Sequence, residues 1–497
     1  MDNNYPTYNN YPNSNNYPIQ HPPIWEETIE QKQQRAYLFK KLFPATLMLA
    51  IVFVLCLYRN ANGITMPFFT LTVVGYCFYV TKVYQYKLKK MSYFMAAVII
   101  LLGISCCITN NGFIIFCNYV EILLMIEMLL IHNFYEDKHW NISKYVSAFI
   151  ITNIMSVATL PDPFGDASRY FKLTDKKRST KLLFVLIGLV IAIPLLLVIT
   201  VLLAQADYVF GKAVSHIFHY FDSFNIVGIA VFFCFGFMAA YLFTRTVGKH
   251  EVSNEVVDNR RFDPIIAITV LSLISLVYVF FCGIQVLYLF SHQLELPNGY
   301  TYSEYAHEGF FQLLFVCVLN LALVLFTSAF FRENLLQKIL LVVISACTYV
   351  MLVSSAFRMC LYVSAYGLTF LRVLVLWFLL VLALFFAGVI VQIVKPDFPL
   401  FRYGLAIISC CYLVLAFAKP DYWIARYNTS MDTYIEHTSR EDYSYDYSNL
   451  RSLSSDAAPI LIPKGYSYDY VTNDSFREFN FSRAAAYKLN REYFFKK

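Results

Sequence analysis

Three groups of residues in this 497-residue chain have types and spacing that could do chemistry. Glu121 and Glu127 both stand in the apolar run 112–131. A charge at the centre of a bilayer costs roughly 3 kcal/mol or more and defaults to a functional hypothesis. A carboxylate placed there can relay a proton or a cation. Six residues at 100° each set these two about 120° apart on a helix, so they do not form a carboxylate pair unaided. The plainer reading pairs one with an interior donor and leaves the other near the rim.

Arg358, Tyr362 and Tyr366 follow one another at i+4, Gly367 is placed to end that helix, and Arg372 comes five residues later. An Arg/Tyr face of this kind can hold an anionic head group or a substrate phosphate. The bland reading is that the arginines snorkel and the tyrosines form an aromatic belt. The third group is the loop 300–311, with Glu304, His307 and Glu308, to which Asp207 in the AQAD segment could add a fourth acid or merely anchor a helix end. His307-Glu308 is followed by Gly-Phe-Phe, so it is not HExxH and gives no support to metalloprotease chemistry. No phosphate-cradling GxxxxGK[ST], no GxSxG elbow and no DxDxDG loop occurs. No metal site and no cofactor is expected.

The elements that must position these residues are set by composition. AVILMFWYC make up 58% of the chain and DEKR 14%, against roughly 45–50% and 25% in soluble domains. Leu182–Leu203 is uncharged throughout and meets the roughly 20-residue length needed to span a bilayer. A soluble enzyme is excluded. The balance of 39 Lys+Arg against 33 Asp+Glu is too even to imply nucleic acid. The expected fold is an all-α polytopic bundle.

Apolar runs stand at about 42–58, 64–81, 93–109, 112–131, 142–160, 182–203, 224–244, 264–290, 310–331, 335–357, 369–394 and 400–418. Lysine and arginine decide which of them cross, because short cytoplasmic loops collect both. Along the first half the gaps hold one (Arg59), four (Lys82, Lys87, Lys89, Lys90) and none (110–111). Along the second half, 161–181 holds six, 204–223 only Lys212, 245–263 four and 291–309 none. The two alternations join if the run 142–160, interrupted by Ser143, Lys144, Thr152, Asn153 and Ser156, lies in the interface or re-enters. That predicts eleven crossings, the head inside and the C-terminal segment outside. A crossing of 142–160 would make twelve and put both ends inside.

Three domains are expected. Residues 1–31, with the repeat NNYPTY-NNYPNS-NNYP, form a disordered cytoplasmic head; 32–418 form the membrane domain; 419–497 form a polar segment with eleven tyrosines. The last is small for an independent core, and is expected to pack on the membrane domain or on a membrane or envelope protein partner. The twelve cysteines all fall in or beside apolar runs without a CxxC and read as packing residues. The first apolar run lies far behind the start and reads as an anchor rather than a cleaved signal.

Five strings carry a resemblance: SEYAHEGFFQLL (303–314), YVSAYGLTFLRVLVLWF (362–378), KPDYWIARYN (419–428), LRSLSSDAAPIL (450–461) and FREFNFSRAAAY (476–487). Together they resemble the bacterial polytopic membrane proteins grouped as domain of unknown function four-one-seven-three, with its sister four-one-five-three. His307 stands where that pattern usually has Arg. The resemblance implies a bacterial cytoplasmic-membrane location and no established activity. Two functional classes follow. One is non-enzymatic: a transporter-like bundle or a signalling and assembly subunit in the bilayer. The other is a transferase or hydrolase acting on a lipid-linked or envelope substrate at the outer face, with Asp207, Glu304, Glu308, Arg358 and Arg372 around it.

Overall fold

The computed structural model describes residues 28–60, 62–174, 202–213, 226–249, 252–256, 260–290, 302–430, 449–468 and 476–494, with isolated positions between 185 and 200. The expected head, apart from its last four residues, and most of the run 182–203 lie outside the described residues. The chain is an all-α polytopic bundle with ten helices long and apolar enough to span a bilayer among the described residues, and the protein is a multi-pass membrane protein.

The helices are α1 (Ile29–Leu57), α2 (Thr65–Val83), α3 (Lys90–Ile108), α4 (Gly112–Phe134), α5 (Ile142–Ala158), α6 (Asp162–Thr174), α7 (Ile226–Lys249), α8 (Pro264–Phe290), α9 (Tyr302–Phe330), α10 (Leu335–Tyr366), α11 (Phe370–Val394), α12 (Leu400–Phe417), α13 (Pro420–Ser430) and α14 (Phe481–Phe494). Helix α1 starts within the segment expected as head. A capping box explains this: Thr28 accepts from the Gln31 N–H, and the Gln31 side chain accepts from the Thr28 N–H. Asn111 caps α4 with its side chain, accepting from the Ile114 N–H at 3.0 Å.

Long helices run in alternate directions between two faces. On one, the basic face, the start of α1 meets the end of α7 through Asp166, and the start of α12 meets the α4–α5 loop. There Phe262 also pairs with the backbone of Phe330 and Arg332. On the other, the tail face, the C-terminal segment sits on the α1–α2 and α3–α4 loops.

Helix α5 begins and ends on the basic face. Tyr145, in its first turn, bonds Asp137, and Thr159 just past its end lies 3.2 Å from Thr246 near the basic end of α7. Between them Asn153 reaches Glu127, two turns or about 10 Å inside the end of α4. Helix α6 then turns away at 59° and packs on α1. A pair bent in this way at a short break is either a broken span or a re-entrant loop.

The apolar core comes in two parts. The larger joins α1–α7 with α12, and smaller ones join α8–α11. In the apolar windows of α3 and α4, 56% of residues are buried, against 22% in α8 and 28% in α9. All twelve cysteines are free and eight are buried.

Candidate functional site

The two intramembrane carboxylates diverge, as their spacing dictates. Glu127 is buried and accepts from the Asn153 amide at 2.9 Å. Glu121 lies beside Ser409 of α12, with one carboxylate oxygen buried and without a hydrogen bond.

At the tail end of α10 the tyrosine face is assembled. Gly367, at φ 76°, ends the helix in a backbone conformation that suits glycine. Arg372 donates to the carbonyls of Tyr366 and Gly367, so its charge caps the exposed carbonyls of α10. Its guanidinium stacks 4.2 Å over the Tyr362 ring, and Tyr362 and Tyr366 lie 5.1 Å apart. Arg358 lies two turns deeper, its guanidinium against the bare backbone of Gly309 in α9. Asp207 is exposed and accepts from the Phe210 N–H at 2.6 Å, as a helix-end anchor does. The side chains of Glu304 and Glu308 lie outside the described residues.

The densest chemistry is on the basic face, in the α4–α5 loop. Asp137, 2% exposed, accepts from His132 Nδ1 at 2.6 Å and from the Tyr145 hydroxyl at 2.7 Å. Arg402 Nη2 lies 2.9 Å away and Lys89 Nζ 3.4 Å. Lys89 also donates to the carbonyls of His132 and Tyr135, both at 2.6 Å, at the end of α4 where a cation is favoured. Phe401 stacks on Tyr145 with ring centres 3.9 Å apart, which fixes the first turn of α5 against α12.

Burial works to raise the Asp137 carboxyl. Hydrogen bonds from His132 and Tyr145, with the charges of His132 and Arg402, outweigh it and hold the group below the usual carboxylate range. An ionised Asp137 makes His132 Nδ1 a donor and leaves Nε2 for a partner outside the pair. Nε2 is buried and has no hydrogen bond. His132 lines a cavity of about 410 Å³ with Lys89, Lys90, Met91, Glu136, Asp137, Lys138 and Arg402. Four basic side chains stand against two carboxylates in the lining, and two of the four, Lys89 and Arg402, already pair with Asp137. The lining brings an oriented imidazole together with lysine amines and carboxylates, groups that can hold an anion and exchange protons.

A second buried carboxylate on this face is enclosed. Asp166 takes Arg245 Nε at 2.9 Å and the Tyr241 hydroxyl at 3.2 Å, with Arg35 at 3.7 Å and Arg169 at 3.9 Å. Asp162 adds Lys249 at 2.7 Å. This network ties α1, α6 and α7 together.

The tail face holds a joint. Asp456 accepts from the Thr109 hydroxyl and, at 3.1 Å, from the Asn110 N–H. Asp421 accepts from the Asn111 amide at 2.9 Å and from the Ser454 N–H at 3.0 Å. Asn480 donates to the carbonyls of Asn62, Cys106 and Thr109, and Asn428 exchanges two hydrogen bonds with the Leu368 backbone. These residues belong to the strings around 366–372, 419–428, 450–461 and 476–487, so the family-like residues meet here in space. Burial pushes the Asp456 carboxyl up, against the pull of its hydrogen bonds.

Sequence reasoning passed over both buried aspartates of the basic face. HNFYEDKHWN (132–141) reads as an ordinary polar loop, and Asp166 falls in a segment weighed only for its lysines and arginines. The one available signal was a histidine and an aspartate at the end of an apolar run, flanked by Tyr135 and Trp140, which are both buried.

Among the described residues no group of three or more His, Cys, Asp or Glu side chains could hold a metal ion. No curated protein and no solved structure matches the chain. A family model described as Domain of unknown function (DUF4153) matches residues 96–463, well over half of the chain. It is the sister in the pair of families that the strings resembled; it starts earlier than they do and stops before the last of them. The chain belongs to the DUF4153 family.

Proposed function

We propose that this protein is a non-enzymatic signalling or assembly subunit of a bacterial cytoplasmic membrane that takes a phosphate-bearing solute at its basic face. The reading rests on the His132 pocket, where four cations surround an imidazole whose free nitrogen is buried and unpartnered. Phosphate oxygens would meet Lys90, Lys138 and Arg402 as charge-assisted acceptors, and a protonated Nε2 would supply one more donor. The basic face is the cytoplasmic one on the same reading, since the loops with Lys87, Lys89, Lys90, Arg260 and Arg261 lie there. Ten described spans and the run 182–203 then make eleven crossings, with the head inside and the C-terminal segment outside. The commitment of Arg372 to helix carbonyls favours this class over an outer-face transferase or hydrolase.

The test is a pyrophosphate titration of the full chain in nanodiscs of zwitterionic lipid. Saturable binding is expected, weakened about tenfold in Lys90→Ala and in His132→Gln. Equal affinity in the wild type and both variants would remove the pocket from the account.

A further inference from the structure

A second cavity, of about 540 Å³, opens on the basic face between the two parts of the bundle. One wall is the start of α5, with His139, Asn141 and Ser143; the other is made by the basic ends of α9, α10 and α11. Its lining divides by chemistry. Leu341 and Ile393 are almost fully buried and give it an apolar floor beside Phe326. Arg260 and Lys338 both pair with Glu333, so the described rim sets two cations beside one carboxylate. Hydrogen bonding from Lys338 and Arg260 keeps Glu333 ionised, below the usual carboxylate range.

Between rim and floor sits Gln337, 3% exposed, in the first turn of α10. Its amide oxygen is buried and has no hydrogen bond. Leaving such an acceptor unmade costs roughly 1–3 kcal/mol, so the cavity asks for a donor at that point. The first-turn position adds the positive end of the α10 dipole to Arg260 and Lys338.

We propose that this cavity binds the head group of an anionic, hydroxyl-bearing phospholipid. The phosphodiester lies at Arg260 and Lys338, a head-group hydroxyl donates to the Gln337 oxygen, and the first methylenes cover Leu341 and Ile393. The occupant is a lipid and not a free phosphate because the anion-attracting rim continues into an apolar floor, at the ends of helices that are long enough to span. Around the same cavity α9 keeps only 28% of its apolar window buried. This site shares no lining residue with the His132 pocket, so the two proposals stand or fall separately.

The test uses the full chain and phosphatidylglycerol as the probe. After purification, retained phosphatidylglycerol is counted by native mass spectrometry, and the thermal midpoint is compared in nanodiscs with and without that lipid. Wild-type protein is expected to retain the lipid and to melt higher with it. Gln337→Leu, which removes the orphan acceptor, is expected to melt no lower than wild type in zwitterionic nanodiscs and to bind phosphatidylglycerol about tenfold more weakly. The double variant Arg260→Gln, Lys338→Gln should weaken it further. Unchanged retention in both variants would overturn the site. Displacement of the lipid by glycerol phosphate at equal concentration would overturn its assignment to a lipid and leave a soluble phosphate as the occupant.

Discussion

The basic face and the tail face both bury aspartates under loops, and they treat the charge in opposite ways. On the tail face Asp421 and Asp456 meet neutral donors: the Asn111 amide, the Thr109 hydroxyl and the N–H groups of Asn110 and Ser454. On the basic face Asp137 and Asp166 meet Lys89, Arg402, Arg245 and Arg35. The neutral joint closes on itself and fixes the C-terminal segment. The ionic face has charge in excess of its carboxylates, together with several buried atoms without a hydrogen bond, among them His132 Nε2, Trp140 Nε1 and Gln337 Oε1. The difference teaches where to look for ligands: partners are missing on the basic face, whereas Asp456 and Asn480 at the tail joint are fully engaged.

The largest expected effect is at Asp166. Asp166→Ala takes away the nearer carboxylate of the buried Arg245, leaving Asp162 at 3.8 Å, and should cost about 3 kcal/mol of unfolding free energy; a loss below about 1 kcal/mol would show that this network is not a structural tie. Next is Asn480→Ala, which leaves three carbonyls without their donor and should cost about 1–3 kcal/mol. Limited proteolysis should then cut residues 449–494 faster while pyrophosphate binding stays at its wild-type value. If binding falls in parallel, the two faces are not separate.

Acid separates the faces by sign. Asp137 is held below its ordinary value of 3.8, so its contribution is complete above that pH and is lost as pH falls through the folded value. Asp456 is pushed above 3.8, so its contribution is complete below that pH and is lost as pH rises through the folded value. Hydrogen exchange followed from neutral pH downward should therefore show the tail joint tightening first and the α4–α5 loop loosening only below about 3.8. Asp456→Asn should abolish the first response and leave the second.

Much of the fold was legible because apolar length and loop charge are one-dimensional properties. The interrupted run 142–160 marks the limit of that reading: its polar residues set it apart from the other runs, and it forms α5, the first half of a pair bent by 59°. The site was less legible because it is made by distant partners. His132 and Asp137 are close in sequence, but Lys89 comes from the α2–α3 loop, Tyr145 from α5 and Arg402 from α12. No spacing rule joins these positions. The Arg/Tyr face was legible as a helix face, whereas the use of Arg372 as a cap depended on the turn at Gly367. Asp456 and Asn480 could be noticed only through the strings that resemble a family, since their partners at Thr109 and Asn62 are more than 340 residues away.

If the basic face takes an anion through His132 while the tail face only holds the protein together, substitutions on the two faces should act on binding independently. Calorimetric titration of pyrophosphate into wild type, His132→Gln and Asn480→Ala, all in zwitterionic nanodiscs, tests it most directly. Wild-type affinity is expected in Asn480→Ala and about tenfold weaker binding in His132→Gln. Wild-type affinity in His132→Gln, with the loss in Asn480→Ala instead, would contradict it.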